Sequence, residues 1–158
     1  MLGGHLKTFL ATIVASAVPT LVCSVALAAG AFYEKEGAAI RGYDPIAYFT
    51  DGKPVEGSPQ YKAEYKGSTF HFRSQSNRDA FAADPAKYAP QYDGYCAFGT
   101  AGGYKAATDP SAFTIVGNKL YLNYNQDVQK KWSSDIPGYV KGADGKWPEV
   151  AKQSKVIQ

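Results

Sequence analysis

Residues 70–88 read Phe70-His71-Phe72-Arg73-Ser74-Gln75-Ser76-Asn77-Arg78-Asp79-Ala80-Phe81-Ala82-Ala83-Asp84-Pro85-Ala86-Lys87-Tyr88, and the pattern changes period inside this stretch. Up to Arg73 it alternates, which puts Phe70 and Phe72 on one face of a strand and Thr69, His71 and Arg73 on the other. Ser74 then supplies a hydroxyl where the first helical amides need an acceptor, and predicts a helix over residues 75–83 with Ala80 and Phe81 facing inward. Asp84-Pro85 starts a further turn, the aspartate accepting from helical amides and the proline presetting the first helical angle.

Working outward, residues 61–65 and 68–73 flank Lys66-Gly67, a connection whose glycine tolerates positive φ, so they form a hairpin. Residues 113–116 and 119–123 flank Gly117-Asn118 and form a second one by the same reasoning. Asp44-Pro45 and Asp109-Pro110 repeat the signal of Asp84-Pro85 and read as short helix or turn starts. Asn125 opens the last long helix, along which Val128, Trp132 and Ile136 recur every four residues as a stripe that packs on the sheet. Phe70, Phe72, Phe81 and Trp132 are expected to share one core. From Ala151 onward the polar ending is expected to fray. The fold class is α+β: a small single domain of two antiparallel β-hairpins covered by short helices and a C-terminal helix.

The amino terminus sets the expected compartment. Lys7 precedes an apolar run from Phe9 to Ala29 that carries no charge, and Ala26-Leu27-Ala28 offers a signal peptidase its small-x-small site. Residues 1–28 are read as a signal peptide and the mature protein as periplasmic or secreted, with no stable membrane insertion after processing. The alternative is a membrane anchor left uncleaved, since about 20 apolar residues span a bilayer. Cys23 follows Val22, whereas a lipoprotein site wants a small residue there. Residues 29–39 are read as an N-terminal linker, 40–150 as the domain and 151–158 as a C-terminal tail.

Of the 2 cysteines only Cys96 survives processing, so no internal disulfide forms and packing must supply the stability. The formal net charge of +3 drops with Lys7, and lysines and acids are interspersed along the rest. Without a basic run or stripe there is no nucleic-acid footprint.

The stretch from Phe70 to Tyr88 resembles the YHS domain. Metal-binding members of that family read roughly D-P-V-C, then Y-H-F-C-S-x-x-C-R-x-x-F-x-x-x-P-x-x-Y, with three cysteines supplying soft thiolates. His71, Ser74, Arg78, Phe81, Pro85 and Tyr88 match that pattern. The cysteine slots do not: Ala47, Arg73 and Asn77 fill them. The resemblance spans roughly residues 41–147. Together with Gly42-Tyr43-Asp44-Pro45-Ile46-Ala47-Tyr48-Phe49, Gly94-Tyr95-Cys96-Ala97 and Leu120-Tyr121-Leu122-Asn123-Tyr124, it is similar to an exported, cysteine-poor branch of the family.

Cys96 and His71 are the candidate metal ligands. Flanking glycines let the chain turn at Cys96 and present a thiol, and free cysteine also serves as a small buried hydrophobe. His71 stands on the strand face that carries the Arg73 slot; a neutral imidazole ligates copper or zinc, or simply bonds a neighbouring backbone group. One thiolate and one imidazole do not close a structural zinc site, but they suit two-coordinate copper(I) or an anchored cofactor. Arg73, Arg78 and Ser74 at the helix start would receive an anion, or the arginines pair with acids such as Asp79 or Asp84. Tyr88, Tyr92, Tyr95 and Tyr104 surround Cys96 in sequence and either pack as half-wet rings or line a pocket over an apolar ligand.

Three functional readings follow. The first is an exported non-catalytic binding module for a soft metal, copper, or a metal-containing cofactor. The second is a protein-interaction domain that has lost the metal site and binds an exported partner. The third is a thiol-dependent enzyme using Cys96, which lacks a recognisable local signature.

Overall fold

A computed structural model describes residues 3–4 and 30–158; apart from Gly3 and Gly4, the expected signal peptide lies outside the described residues. The first described elements lie within the segment expected to be a linker. Strands β1 (Glu34–Lys35) and β2 (Ala38–Ala39) form a short antiparallel pair. Phe32, Tyr33, Ala38 and Ala39 are buried. The Phe32 ring meets Phe70 edge-on at 4.9 Å, and its amide donates to Ser68 Oγ at 3.1 Å. Residues 30–39 therefore belong to the domain, because an aromatic that fits the core outweighs the linker-like composition around it.

Helix α1 (Pro45–Thr50) begins where Asp44-Pro45 predicts, with Asp44 Oδ1 accepting from Ile46 N at 2.8 Å. Strands β3 (Ser58–Tyr65) and β4 (Ser68–Phe72) make the first hairpin, with Lys62 opposite His71 and an irregularity between Ser58 and Lys62. Its turn holds Lys66 and Gly67 at φ of 49° and 76°, the left-handed pair that matches strand twist. Helix α2 (Gln75–Ala83) is capped by Ser74, whose Oγ accepts from Asn77 N at 3.2 Å. Phe81 is its one buried residue; Ala80, expected inward, is exposed. The helix rests on a single ring, wedged 4.8 Å from Phe70 and 5.1 Å from Phe72.

Helix α3 (Pro85–Tyr88) starts at Asp84-Pro85 as expected, and α4 (Ala97–Gly102) follows Cys96. Strand β5 (Lys105–Ala106) leads into the second hairpin, β6 (Asp109–Val116) and β7 (Lys119–Asn123). Asp109-Pro110 departs from expectation by lying in a strand. Asp109 Oδ1 accepts from Ser111 N at 2.8 Å, but Asp109 also pairs with Asn123, and that pairing keeps the chain extended.

The expected last helix is broken in two, α5 (Gln126–Trp132) and α6 (Ile136–Val150), separated by a 3-10 turn. Asn125 caps the first through Val128 N at 2.9 Å. Asp135 caps the second through Gly138 N at 3.1 Å, with Pro137 presetting the new start. The tail does not simply fray. Strand β8 (Val156–Ile157) pairs in parallel with β5, and Lys105 Nζ donates to Ala151 O at 3.0 Å. Two β-branched residues at an open edge recruit this pairing.

The core is split. Phe70, Phe72 and Phe81 share one cluster with Phe32, Ile40 and Tyr48, whereas Trp132 lies in a second with Tyr92, Ala97, Tyr121 and Ala143. Strand β7 divides them: Leu120 and Leu122 face the first cluster and Tyr121 the second, as strand alternation requires. The single core expected from the sequence fails because Trp132 packs on the Tyr121 face of β7, opposite the face that Leu120 and Leu122 turn to Phe70, Phe72 and Phe81.

Candidate functional site

The cysteine slots of the family pattern lie at the junction of α1, β4 and α2. Ala47, wholly buried in α1, offers no donor. Arg73 leaves the end of β4 and sends its guanidinium to Asp51, where Nη2 reaches Oδ1 at 3.1 Å and Nη1 pairs with Oδ2. Asn77 donates from Nδ2 to Asp44 Oδ2 at 2.7 Å. The same Oδ2 accepts from Arg73 N at 3.0 Å, so one wholly buried carboxylate ties the start of α1 to the end of β4 and the first turn of α2. Methyl, guanidinium and amide are not soft ligands, and the two polar ones are engaged by carboxylates. The residues present do not fit the family's thiolate-bound metal.

Arg78 bonds Asp79 through Nε at 2.9 Å and Nη2 at 2.7 Å, and Ser74 is occupied as a cap. The anion-binding reading of Arg73, Arg78 and Ser74 thus gives way to local ion pairs, which exposed arginines form with adjacent acids.

His71 lines a polar cavity of about 230 Å³ with Lys35, Glu36, Arg41 and Glu56. Burial, and then the charge of Lys62 opposite it, lower its pKa, so the neutral imidazole is favoured. Ile40 and Arg41 hold left-handed φ of 45° and 60° beside it, a conformation costly for a β-branched residue. Gly42 lies so close that an added Cβ would stand 3.4 Å from His71 Nδ1.

Cys96 is 1 % exposed. Its Sγ accepts from Gly99 N at 3.4 Å, which caps α4, and its S–H faces Asn123 Oδ1 at 3.6 Å. Burial raises the thiol pKa; the amides of Gly99, Tyr124 and Phe98 pull the other way without reversing it. The resting group is a neutral thiol, a poor nucleophile. Asn123 is wholly buried, accepts from Phe98 N at 3.2 Å, and its Nδ2 meets no hydrogen-bond partner among the described residues.

Above Cys96 opens an apolar cavity of about 160 Å³ lined by Phe98, Tyr104, Ala106, Tyr124 and Ile157. His71 does not line it, and Cys96 does not line the cavity of His71. Among the described residues no group of three His, Cys, Asp or Glu side chains gathers at metal-binding spacing. Of the tyrosines near Cys96 in sequence, Tyr104 alone lines the cavity. Tyr92 donates to Asp144 Oδ1 at 2.9 Å, Tyr95 meets Tyr33 at a tilt and Tyr88 meets Phe49 edge-on. Sequence reasoning missed Asn123, Tyr124 and Ile157 as neighbours of the thiol. The β-branched pair Val156-Ile157 was the available sign that the tail folds back.

Residues 46–92 match the family model of the YHS domain, as the motif leads one to expect. The family is associated with metal handling, copper in particular. No match to the chain is found among curated proteins or among solved structures. No helix among the described residues is long and apolar enough to cross a membrane.

Proposed function

We propose that this YHS-domain chain is an exported, non-catalytic binding module that works without the metal site of its family. One observation carries the reading: the three slots that hold thiolates in metal-binding members hold Ala47, Arg73 and Asn77, and the latter two are engaged by Asp51 and Asp44. Copper(I) held by Cys96 with His71 is the reading the family favours, and it requires those residues to share a site. They line separate cavities, which supports the metal-free reading instead. A thiol enzyme needs a thiolate, and burial favours the protonated form of Cys96. Export rests on the apolar run and the Ala26-Leu27-Ala28 site.

Competition against a copper(I) chelator tests the proposal, with the wild type beside Cys96→Ser and His71→Ala. The expected result is that the wild type withholds no stoichiometric copper and the three proteins compete alike. One equivalent withheld by the wild type, lost in Cys96→Ser and weakened in His71→Ala, would overturn it.

A further inference from the structure

Tyr104, Tyr124 and Ile157 are the exposed large hydrophobic side chains among the described residues, at 37 %, 38 % and 45 % exposure. All three line the cavity over Cys96. They arrive from separate places: Tyr104 from the turn after α4, Tyr124 from the residue after β7, Ile157 from β8. Single exposed apolar residues need no explanation, but these three converge on one concavity. The remaining lining is Cys96, Phe98, Ala106 and Val128, so no charged side chain faces the space. A charged ligand would give up water there and meet no counter-charge among the lining side chains; Lys131 Nζ is engaged over the Phe98 ring, 5.1 Å from its centroid.

Size narrows the class further. The cavity holds about 160 Å³, close to the ~150 Å³ of an engineered apolar cavity that takes up benzene. Aromatic walls at Phe98, Tyr104 and Tyr124 offer ring faces and edges, and a sulfur at the base makes favourable contact with a ring edge. The thiol serves as surface, since its proton faces Asn123 and its sulfur caps α4. One wall is a narrow strap: β8 is held to β5 by the pairs Lys105–Val156 and Ala106–Ile157, and by Ala107 N donating to Ile157 O at 2.8 Å.

We propose that the cavity formed by Cys96, Phe98, Tyr104, Tyr124, Val128 and Ile157 is a binding site for a small neutral aromatic molecule of one ring. This goes beyond the metal-free reading and is independent of it, because copper competition reports on the thiol as a ligand and ring binding reports on the cavity.

Titration of the ¹⁵N-labelled full chain with toluene, with benzoate as a charged ring of similar size, provides the test. Toluene is expected to give saturable shifts centred on the amides of Phe98, Ala106, Tyr124 and Ile157. Benzoate is expected to bind at least tenfold more weakly. Val128→Phe, which fills the cavity, and Tyr124→Lys, which sets a charge at an exposed position on its rim and does not threaten folding, should each weaken toluene at least tenfold. Shifts that never saturate, shifts spread over distant amides, benzoate binding as well as toluene, or unchanged affinity in the folded Tyr124→Lys protein would each overturn the proposal.

Discussion

Replacing Asp44 by serine separates the two jobs its carboxylate does. Serine still caps a helix, so the bond to Ile46 N is replaced in kind. The bonds from Arg73 N at 3.0 Å and Asn77 Nδ2 at 2.7 Å are lost, and both part-buried donors are deprived of the wholly buried carboxylate that accepts from them. A hydrogen bond to a charged group is worth about 1.5–3 kcal/mol. Because the two share one oxygen they are not additive, and about 3 kcal/mol is the expected cost of Asp44→Ser. Asp44→Ala should cost about 1 kcal/mol more, the ordinary value of a cap. Urea unfolding measures both: with a slope near 2 kcal/mol/M, a loss of about 3 kcal/mol moves the midpoint by about 1.5 M. Asn77→Ala should account for about half of the serine effect, and the double variant should fall short of the sum of the singles. Full additivity, or an Asp44→Ser midpoint within about 0.3 M of wild type, would refute the idea that this carboxylate ties the three segments together.

Phe72→Ala and Trp132→Ala should each cost about 3–5 kcal/mol and act independently, because they empty different clusters; strong coupling in the double variant would show a single core. The pKa of His71 is lowered by burial and by Lys62, so the unfolded chain takes up this proton first as pH falls. The stability contributed by neutral His71 is therefore present above the unfolded pKa of about 6.5 and is lost as pH falls through the folded value; His71→Gln should flatten the pH dependence of the urea midpoint between about pH 7 and 5. Intact-mass measurement of exported protein should give a chain beginning at or near Ala29; a mass retaining residues 1–28, or lipid on Cys23, would contradict export by a cleaved signal.

What the sequence made legible is what local chemistry decides. Ser74, Asp44 and Asp84 cap the helices they announce, and the turns at Lys66-Gly67 and Gly117-Asn118 adopt left-handed angles, since each signal is settled within a few residues. The errors arise where a distant partner decides. Asp109-Pro110 is drawn into a strand by Asn123, the supposed linker is held by Phe32 against Phe70, and the tail is held by β5. The same division holds for the candidate site. That Asn77 is an amide in a cysteine slot is visible in the sequence; that it donates to Asp44, and that His71 and Cys96 line separate cavities, depends on how elements far apart in the chain are stacked.

The family pattern contains two sets of residues that answer to different demands. Asp44, Ser74, Phe81 and Pro85 are held by the fold itself: a cap and tie, a cap, a ring between Phe70 and Phe72, and a helix start. Each contributes to stability whether or not a metal is present, and each remains in this chain. Ala47, Arg73 and Asn77 stand where the pattern requires only ligands, and those slots are free to change once no metal is bound. Arg73 and Asn77 make their own contribution there, through an ion pair to Asp51 and a bond to Asp44 that a deprotonated thiolate, having no proton to donate, cannot form. On the proposed metal-free reading the scaffold stays recognisable while two of its ligand positions make bonds within the fold, and the apolar cavity over Cys96 is where a ligand is to be sought.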